Sequence, residues 1–479
     1  MKTIKTVSLV AFLLCFTLNL RAQSGTCGAN LTWELTDSTL TISGSGAMDN
    51  SHPWSSYSSQ IARVSLPEGL TNICDDAFYD CPNLQSIVIP NTVTSIGREA
   101  FDQCTSLKQV TLGNAVETIG SHAFYNTSIT SITLPSSVTS IEDYAFGYCK
   151  KLTEITIPGS VSTIGNYAFG NCEQLSKATI EEGVKSIGNN AFQGCYKMTD
   201  VVLPSSLISI GSSAFSSCSS LASVVIPEQI TTIEAYTFSG CSSLKEVPLP
   251  NNLQTIGNSA FSGCGFAHID IPNSVTTLGS SSFSGCKYLT SITLPDNITI
   301  VPNSAFSSCE QLPSITIPEG VTSIGNNAFS SCSNLTSVTI PEGVTSIGYG
   351  AFSGCNLQNL SLPSSLQTIA DADSNGSGAF QENTNLATVI IHGTVSKIGN
   401  GAFRGCSALS QVTLSEGTTT IGTAAFLGCS RLRSITLPEG LTTIQGGAFC
   451  NCDLANLSFP KSLTTIDDVY YESWRYCSS

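Results

Sequence analysis

Two kinds of residue in this chain could do chemistry by their type and spacing. The first is a run of oxygen donors, Asp371-Ala-Asp373-Ser-Asn375-Gly376-Ser377, closed by Glu382. Counted from Asp371, it puts acidic or amide oxygens at positions 1, 3 and 5, glycine at 6 and a carboxylate at 12. That is the order in which a calcium loop wraps about six to eight oxygens around one ion. Calcium is thus the one cofactor the sequence suggests, with Asp371, Asp373, Asn375, Ser377 and Glu382 as candidate ligands. Against it, Gly378 stands where such loops carry an apolar residue, and the alternative is a bulging Asp/Asn/Gly/Ser turn.

The second is cysteine, of which there are 20. Fifteen fall three residues after a recurring Phe, as Cys81, Cys104, Cys149, Cys172 and Cys332 do, and Thr127 and Asn383 twice take the place. One reading is a disulfide framework; the other is a column of buried thiols used as small apolar residues. Stacked equivalent positions point their Cβ atoms in parallel, which a disulfide cannot use, so a thiol column is expected. With no Cys-x-x-Cys, metal binding by the column is not expected. Cys27, Cys74, Cys450 and Cys477 lie off the column and are the better disulfide candidates.

Little else points to catalysis. His52, His122, His268 and His392 show no paired-ligand spacing. No Gly-x-Ser-x-Gly elbow is present, and Glu319 and Glu342 lie in Pro-Glu-Gly turns. A non-catalytic protein is expected.

What must position these residues is a repeat. Seventeen Phe, from Phe78 through Phe329 and Phe352 to Phe449, recur at 23 residues, with two steps of 22 and one of 28. A period of this size means a solenoid. In Leu335-Thr-Ser-Val338-Thr-Ile340-Pro341-Glu-Gly-Val344-Thr-Ser-Ile347-Gly348-Tyr-Gly-Ala351-Phe352-Ser-Gly-Cys355, Val338 and Ile340 alternate as in a strand that Pro341 ends. Val344 and Ile347 form a second, shorter extended side, and Gly348 is expected at positive φ. Ala351, Phe352 and Cys355 are expected on one side of a helical turn. The fold class is therefore a repeat solenoid: about 17 coils of 23 residues, a parallel concave sheet on the order of 80 Å long at ~4.8 Å per strand, short convex strands and helical turns, with every Phe stacked on the next.

The expected organisation is a signal peptide over 1–22, an N-terminal hairpin cap over 23–60, the solenoid over 61–453 and a C-terminal partial repeat and cap over 454–479. Lys2 and Lys5 precede an apolar stretch from Val7 to Leu18 and Leu20-Arg21-Ala22, the three parts of an export signal. Asn30 to Gly44 alternates around Asp37-Ser38 as a hairpin does. At the far end Tyr471 takes the Phe position and Trp474 the Cys position. Without residues 1–22 the chain has 16 basic against 34 acidic residues, a net charge of −18, so neither nucleic acid nor an anionic membrane surface is an expected partner. An exported monomer, at the cell surface or outside the cell and with no membrane insertion once the signal is removed, is expected.

The Leu-x-x-Ile-x-Ile-Pro-x-x-Val-Thr-x-Ile-Gly-x-x-Ala-Phe-x-x-Cys frame resembles the BspA-like class of bacterial leucine-rich repeats, over residues 25 to 466. Gly25-Thr-Cys-Gly-Ala-Asn-Leu-Thr-Trp and Leu40-Thr-Ile-Ser-Gly-Ser-Gly-Ala-Met48 are similar to the N-terminal module of that class. The resemblance implies an exported or surface-exposed protein that adheres to host glycoproteins or matrix proteins.

The outward residues of the inner strands are the expected recognition surface. Charged and ring-bearing members gather between Glu154 and Asp270, namely Glu154, Lys177, Asp200, Glu246, His268 and Asp270. Extracellular proteins or glycoproteins are the expected partners. A carbohydrate-binding or nutrient-capturing surface protein is the alternative, and a structural envelope protein the third. Glycan binding would call for aromatic platforms, and Tyr79, Tyr125, Tyr148 and Tyr196 read as scattered rings of the helical turns.

Overall fold

The structure is a computed structural model and describes residues 22–467. The chain winds as a parallel β-solenoid of about 19 turns with almost no helix. Each coil has two strand sides and one turn side. In the coil of Phe352, Ser337–Thr339 pairs in register with Ser314–Thr316, and Ser346–Ile347 pairs with Ser323–Ile324. On the turn side the Phe rings run as one unbroken stack from Phe78 to Phe449. Successive centroids lie 5.2 to 5.7 Å apart, as for Phe329 and Phe352 at 5.2 Å and Phe261 and Phe283 at 5.7 Å. No coil could bury these rings alone, so the stack and the ladders together make the core.

The two strand sides differ in a way the sequence reading did not anticipate. The short Thr-Ile strands, expected as the minor side, form the more continuous ladder, in sheets of eight, three, four and four strands. The Val-Thr-Ile side is broken into pairs and triplets, such as Ser86–Val88 with Gln109–Thr111. The reason is local. A proline closes most of these strands and gives no N–H to a ladder, and the one-residue deletions of the repeat fall between the Cys and this strand.

The turn side corrects a second expectation, for it is not helical. Two residues before and two after the Phe the backbone is left-handed, as at Asn327 (φ 54°) and Ser331 (φ 62°) around Phe329. A left-handed residue ends a right-handed helix, so the segment bends twice. Its bonds run from coil to coil: the Phe329 N–H donates to the Ala351 carbonyl at 2.7 Å. Gly348, expected at positive φ, is not left-handed. It is needed because a Cβ there would come within 2.6 Å of the Asn326 backbone nitrogen of the preceding coil.

The thiol column is free, with none of its fifteen members in a disulfide, and all but the half-buried Cys452 are buried. Every thiol after Cys81 also has a polar task. Cys355 Sγ donates to the Phe329 carbonyl of the coil before at 3.1 Å, and Cys332 donates to the Phe306 carbonyl at 3.1 Å. Where Asn383 replaces Cys, its Nδ2 donates to the Phe352 carbonyl at 2.7 Å. The position therefore wants a small buried donor, which a thiol supplies weakly. Off the column, Cys450 is disulfide-bonded. Cys27 and Cys74, expected to be bonded, are free and buried, and burial pushes their thiols up to about 11 and about 12. Cys477, Tyr471, Trp474 and all of the expected export segment but Ala22 lie outside the described residues.

At the N-terminal end, Gln23–Gly28, Leu31–Thr36 and Thr39–Gly44 form an antiparallel sheet, turning at Asp37 (φ 47°) and Ser38 (φ 64°). The third strand pairs in parallel with Arg63–Ser65 and hands the sheet to the solenoid. Trp54 stacks on Phe78 at 5.9 Å and its Nε1–H donates to the Ala77 carbonyl at 2.6 Å. It thereby covers the end of the Phe stack that would otherwise meet water. No helix among the described residues is long and apolar enough to cross a membrane.

Candidate functional site

The six strand-face residues singled out by sequence are all exposed, and the structure divides them into two groups. Glu154, Lys177 and Asp200 occupy one register row, Glu154 opposite Lys177 and Lys177 opposite Asp200. This alternation places a cation between two carboxylates on one face of a sheet. Glu246, His268 and Asp270 lie apart from that row, at a break in the ladder.

The break is a cleft of about 1170 Å³ between residues 242–251 and 265–272. Its floor is apolar, from Val247, Leu249, Ile269 and Ile271, and its walls carry Lys245, Glu246, His268 and Asp270, with Tyr288 at the rim. Three sequence features build it. Phe266 follows Cys264 by two residues instead of the usual three, so this coil enters its strand one residue early. The Phe266 ring takes the Leu position and meets Phe261 and Phe283 edge-on at 6.1 and 6.2 Å. Pro248 stands where the second outward row usually has Thr, and it removes a ladder donor. Smaller clefts lie at two of the three other coils shortened in the same way, about 240 Å³ at Val110 to Pro135 and about 490 Å³ at Val338 to His392. The two steps of 22 residues are plain in the sequence, but the opening of the strand face that comes with them is not.

Within the large cleft the polar groups are ordered. His268 Nδ1 is 2.7 Å from Ser291 Oγ, its partner in the register, and His268 Nε2 is 3.0 Å from Asp270 Oδ1. The contacts follow the order of a hydrolytic triad, but His268 and Asp270 are 53% and 80% exposed. There water screens the coupling that a triad needs. The arrangement orients polar groups over an apolar floor, which is chemistry for binding.

The calcium candidates are not gathered around one centre. Asp371 accepts from Lys397 Nζ at 2.8 Å and from the Asn400 backbone N–H at 2.9 Å, and these partners hold its carboxyl below the usual range. Asp373 accepts from the backbone N–H groups of Asn375 and Ser377 within its own turn. A Cβ on Gly376 would lie 3.3 Å from Arg404 Nη1, so a second cation stands over the loop. Glu382 lies against Gly405 of the next coil, where a Cβ would come within 2.7 Å of its carboxyl carbon. As arranged, with two cations already at the loop, these residues do not fit a calcium ion. Among the described residues no group of three or more His, Cys, Asp or Glu could hold a metal ion.

A family model for the BspA type leucine-rich repeat region matches residues 55–153, 139–267, 254–373 and 373–478. A leucine-rich repeat protein from Bacteroides ovatus is 29% identical, with a TM-score of 0.51 over 66% of this chain and 83% of its own. A leucine-rich cell surface protein from Faecalibacterium prausnitzii is 26% identical, with a TM-score of 0.45 over 95% of this chain and 97% of its own. None of the curated proteins is similar to the chain.

Proposed function

The chain belongs to the BspA-type leucine-rich repeat family, and from that premise we propose that it is an exported, non-catalytic protein of the cell surface or its surroundings that binds extracellular proteins or glycoproteins through its strand face. The cleft at Glu246, His268 and Asp270 carries the reading. It combines an apolar floor, oriented polar groups and an exposed aromatic rim, the composition expected at the centre of a protein contact. The long face on either side adds many weak contacts along an extended partner, as solenoids do. The export signal read in residues 1–22 supports the location.

The test is binding of the chain to immobilised matrix glycoproteins and mucins. Saturable binding that falls when Glu246 and Asp270 are both replaced by Lys supports the reading. Absence of binding to every member, or binding unmoved by the double replacement, overturns it.

A further inference from the structure

The two left-handed positions of each turn are filled along most of the chain by Ser, Asn, Asp or Gly. Except for Ser, these are the residues that best tolerate that backbone, and none is bulky. A ring takes the place singly at Tyr236 (φ 59°), and over three successive coils rings do so together: His122 (φ 57°), Tyr144 (φ 59°), Tyr148 (φ 59°) and Tyr167 (φ 54°). Bulky residues are disfavoured there, and such strain persists only where the surroundings enforce it.

The rings of these three coils form one patch, which includes two of the four rings read as scattered, Tyr125 and Tyr148. His122 stacks on Tyr144 at 4.6 Å and 13°, and Tyr144 on Tyr167 at 4.6 Å and 5°. Tyr125 meets His122, Tyr144 and Tyr148 at 54°, 67° and 53°, so none of the three lies flat upon it. Gly147 gives it room, since a Cβ there would come within 3.1 Å of the Tyr125 ring. Tyr148 is exposed, and the other four rings are half-buried. Polar partners adjoin them, with Asn126 Nδ2 donating to Gln103 Oε1 at 2.7 Å.

We propose that this patch of the turn face is a carbohydrate site for a neutral, extended chain of pyranose sugars lying along the solenoid axis. The His122, Tyr144 and Tyr167 rings cover one another face to face, so the C–H faces of sugars pack on the tilted Tyr125 and Tyr148 rings. Phenol hydroxyls and the amides of Asn126 and Gln103 answer the sugar hydroxyls. The 5.3 Å spacing of Tyr125 and Tyr148 is close to the advance of one sugar unit in an extended chain. Charge selects against acidic sugars: Glu142 and Asp143 are exposed in the same coils, and Lys150, beside Tyr148, is paired to Glu173 at 2.7 Å. The site shares no residue with the strand-face cleft, so either can fail without the other.

The test is calorimetric titration of the full chain with a soluble β-linked neutral glucan oligosaccharide and, separately, a sialylated one, for the natural protein and for Tyr125→Leu and Tyr148→Ser. The expected result is binding of the neutral oligosaccharide only. Each variant weakens it about tenfold, the worth of one lost ring contact, while the thermal midpoint of Tyr148→Ser stays level or rises because Tyr148 is exposed and the new residue is smaller at a left-handed position. No binding of the neutral oligosaccharide at millimolar concentration overturns the proposal. So does equal binding by both variants, tighter binding of the sialylated chain, or a fall in the Tyr148→Ser midpoint that assigns the rings to stability.

Discussion

Gly348→Ala separates two physical reasons for the glycine that closes the second strand of each coil. A new Cβ would lie 2.6 Å from the Asn326 nitrogen and 2.8 Å from its Cα, against the 3.4 Å at which ordinary contact begins. One coil must therefore retreat by about 0.8 Å, yet Ser346 is held in register by Ser323 on one side and Thr368 on the other. Overpacking of this kind costs about 1–3 kcal/mol. Lower entropy of the unfolded chain returns about 0.4–1 kcal/mol, so the expected net loss is about 1–2 kcal/mol. Gly343→Ala is the control: its Cβ would meet only the Glu319 and Val321 carbonyls at 3.2 and 3.4 Å, and a change within about 0.5 kcal/mol is expected. Gly348→Asn completes the set. If positive φ were the reason, Asn would rescue; with close approach as the reason, Asn is no better than Ala. Because repeat arrays need not unfold in one step, the readout is hydrogen exchange of the Ser346–Ile347 ladder and its neighbours under mild urea. Gly348→Ala as stable as Gly343→Ala, or rescue by Asn, would refute the reasoning.

Other consequences follow from buried groups and from charge. Burial raises Cys149 to about 11 and Cys241, Cys286 and Cys406 to about 12, so mass mapping should find these thiols silent to a water-soluble reagent until the solenoid unfolds. Cys452 should react first, being half-buried and held below the usual thiol range by the Cys429 hydrogen bond; simultaneous labelling of the whole column would contradict this. Asp102 is buried with Oδ1 unpartnered, and desolvation, with Glu99 second, raises its carboxyl to about 6. An acid whose folded value is raised loses stability as pH climbs from its unfolded to its folded value. Asp102→Asn should thus raise the midpoint at neutral pH and make no difference below about pH 4, and an advantage that persists in acid would count against the account. Adding calcium, or a chelator, should leave the midpoint unmoved, because Lys397 and Arg404 stand at the Asp371 loop. A ligand at a hundred times its dissociation constant stabilises by about 2.7 kcal/mol, so a shift of that order would show that the loop rearranges to bind.

Much of the scaffold was legible because it is periodic. One misplaced Phe among seventeen would leave a ring unstacked, so the pattern could be read at every coil. The thiol column was legible for the same reason, from parallel Cβ directions. What escaped the reading is set by backbone geometry between coils. Gly348 looks alike in sequence whether it serves φ or close approach. The turn around Phe329 has the Ala, Phe and Cys offsets of a helix, while Asn327 and Ser331 spoil it through their φ angles. The cleft hangs on one missing residue after Cys264 and on Pro248, a change in length and one donor that no residue type announces. The ring patch was hidden because His122, Tyr144 and Tyr167 are 22 and 23 residues apart and meet only once the coils stack.

The central claim is that the opened strand face binds a partner. The most direct measurement is a binding isotherm on the immobilised glycoprotein panel for the natural chain beside a variant with one residue inserted after Gly265 and Pro248→Thr. These changes restore the 23-residue step and a ladder donor while leaving the Phe stack and the ring patch untouched. The account predicts saturable binding by the natural chain and its loss in the variant, with the thermal midpoint kept or raised. Equal binding by the two proteins, or none by either, would contradict it.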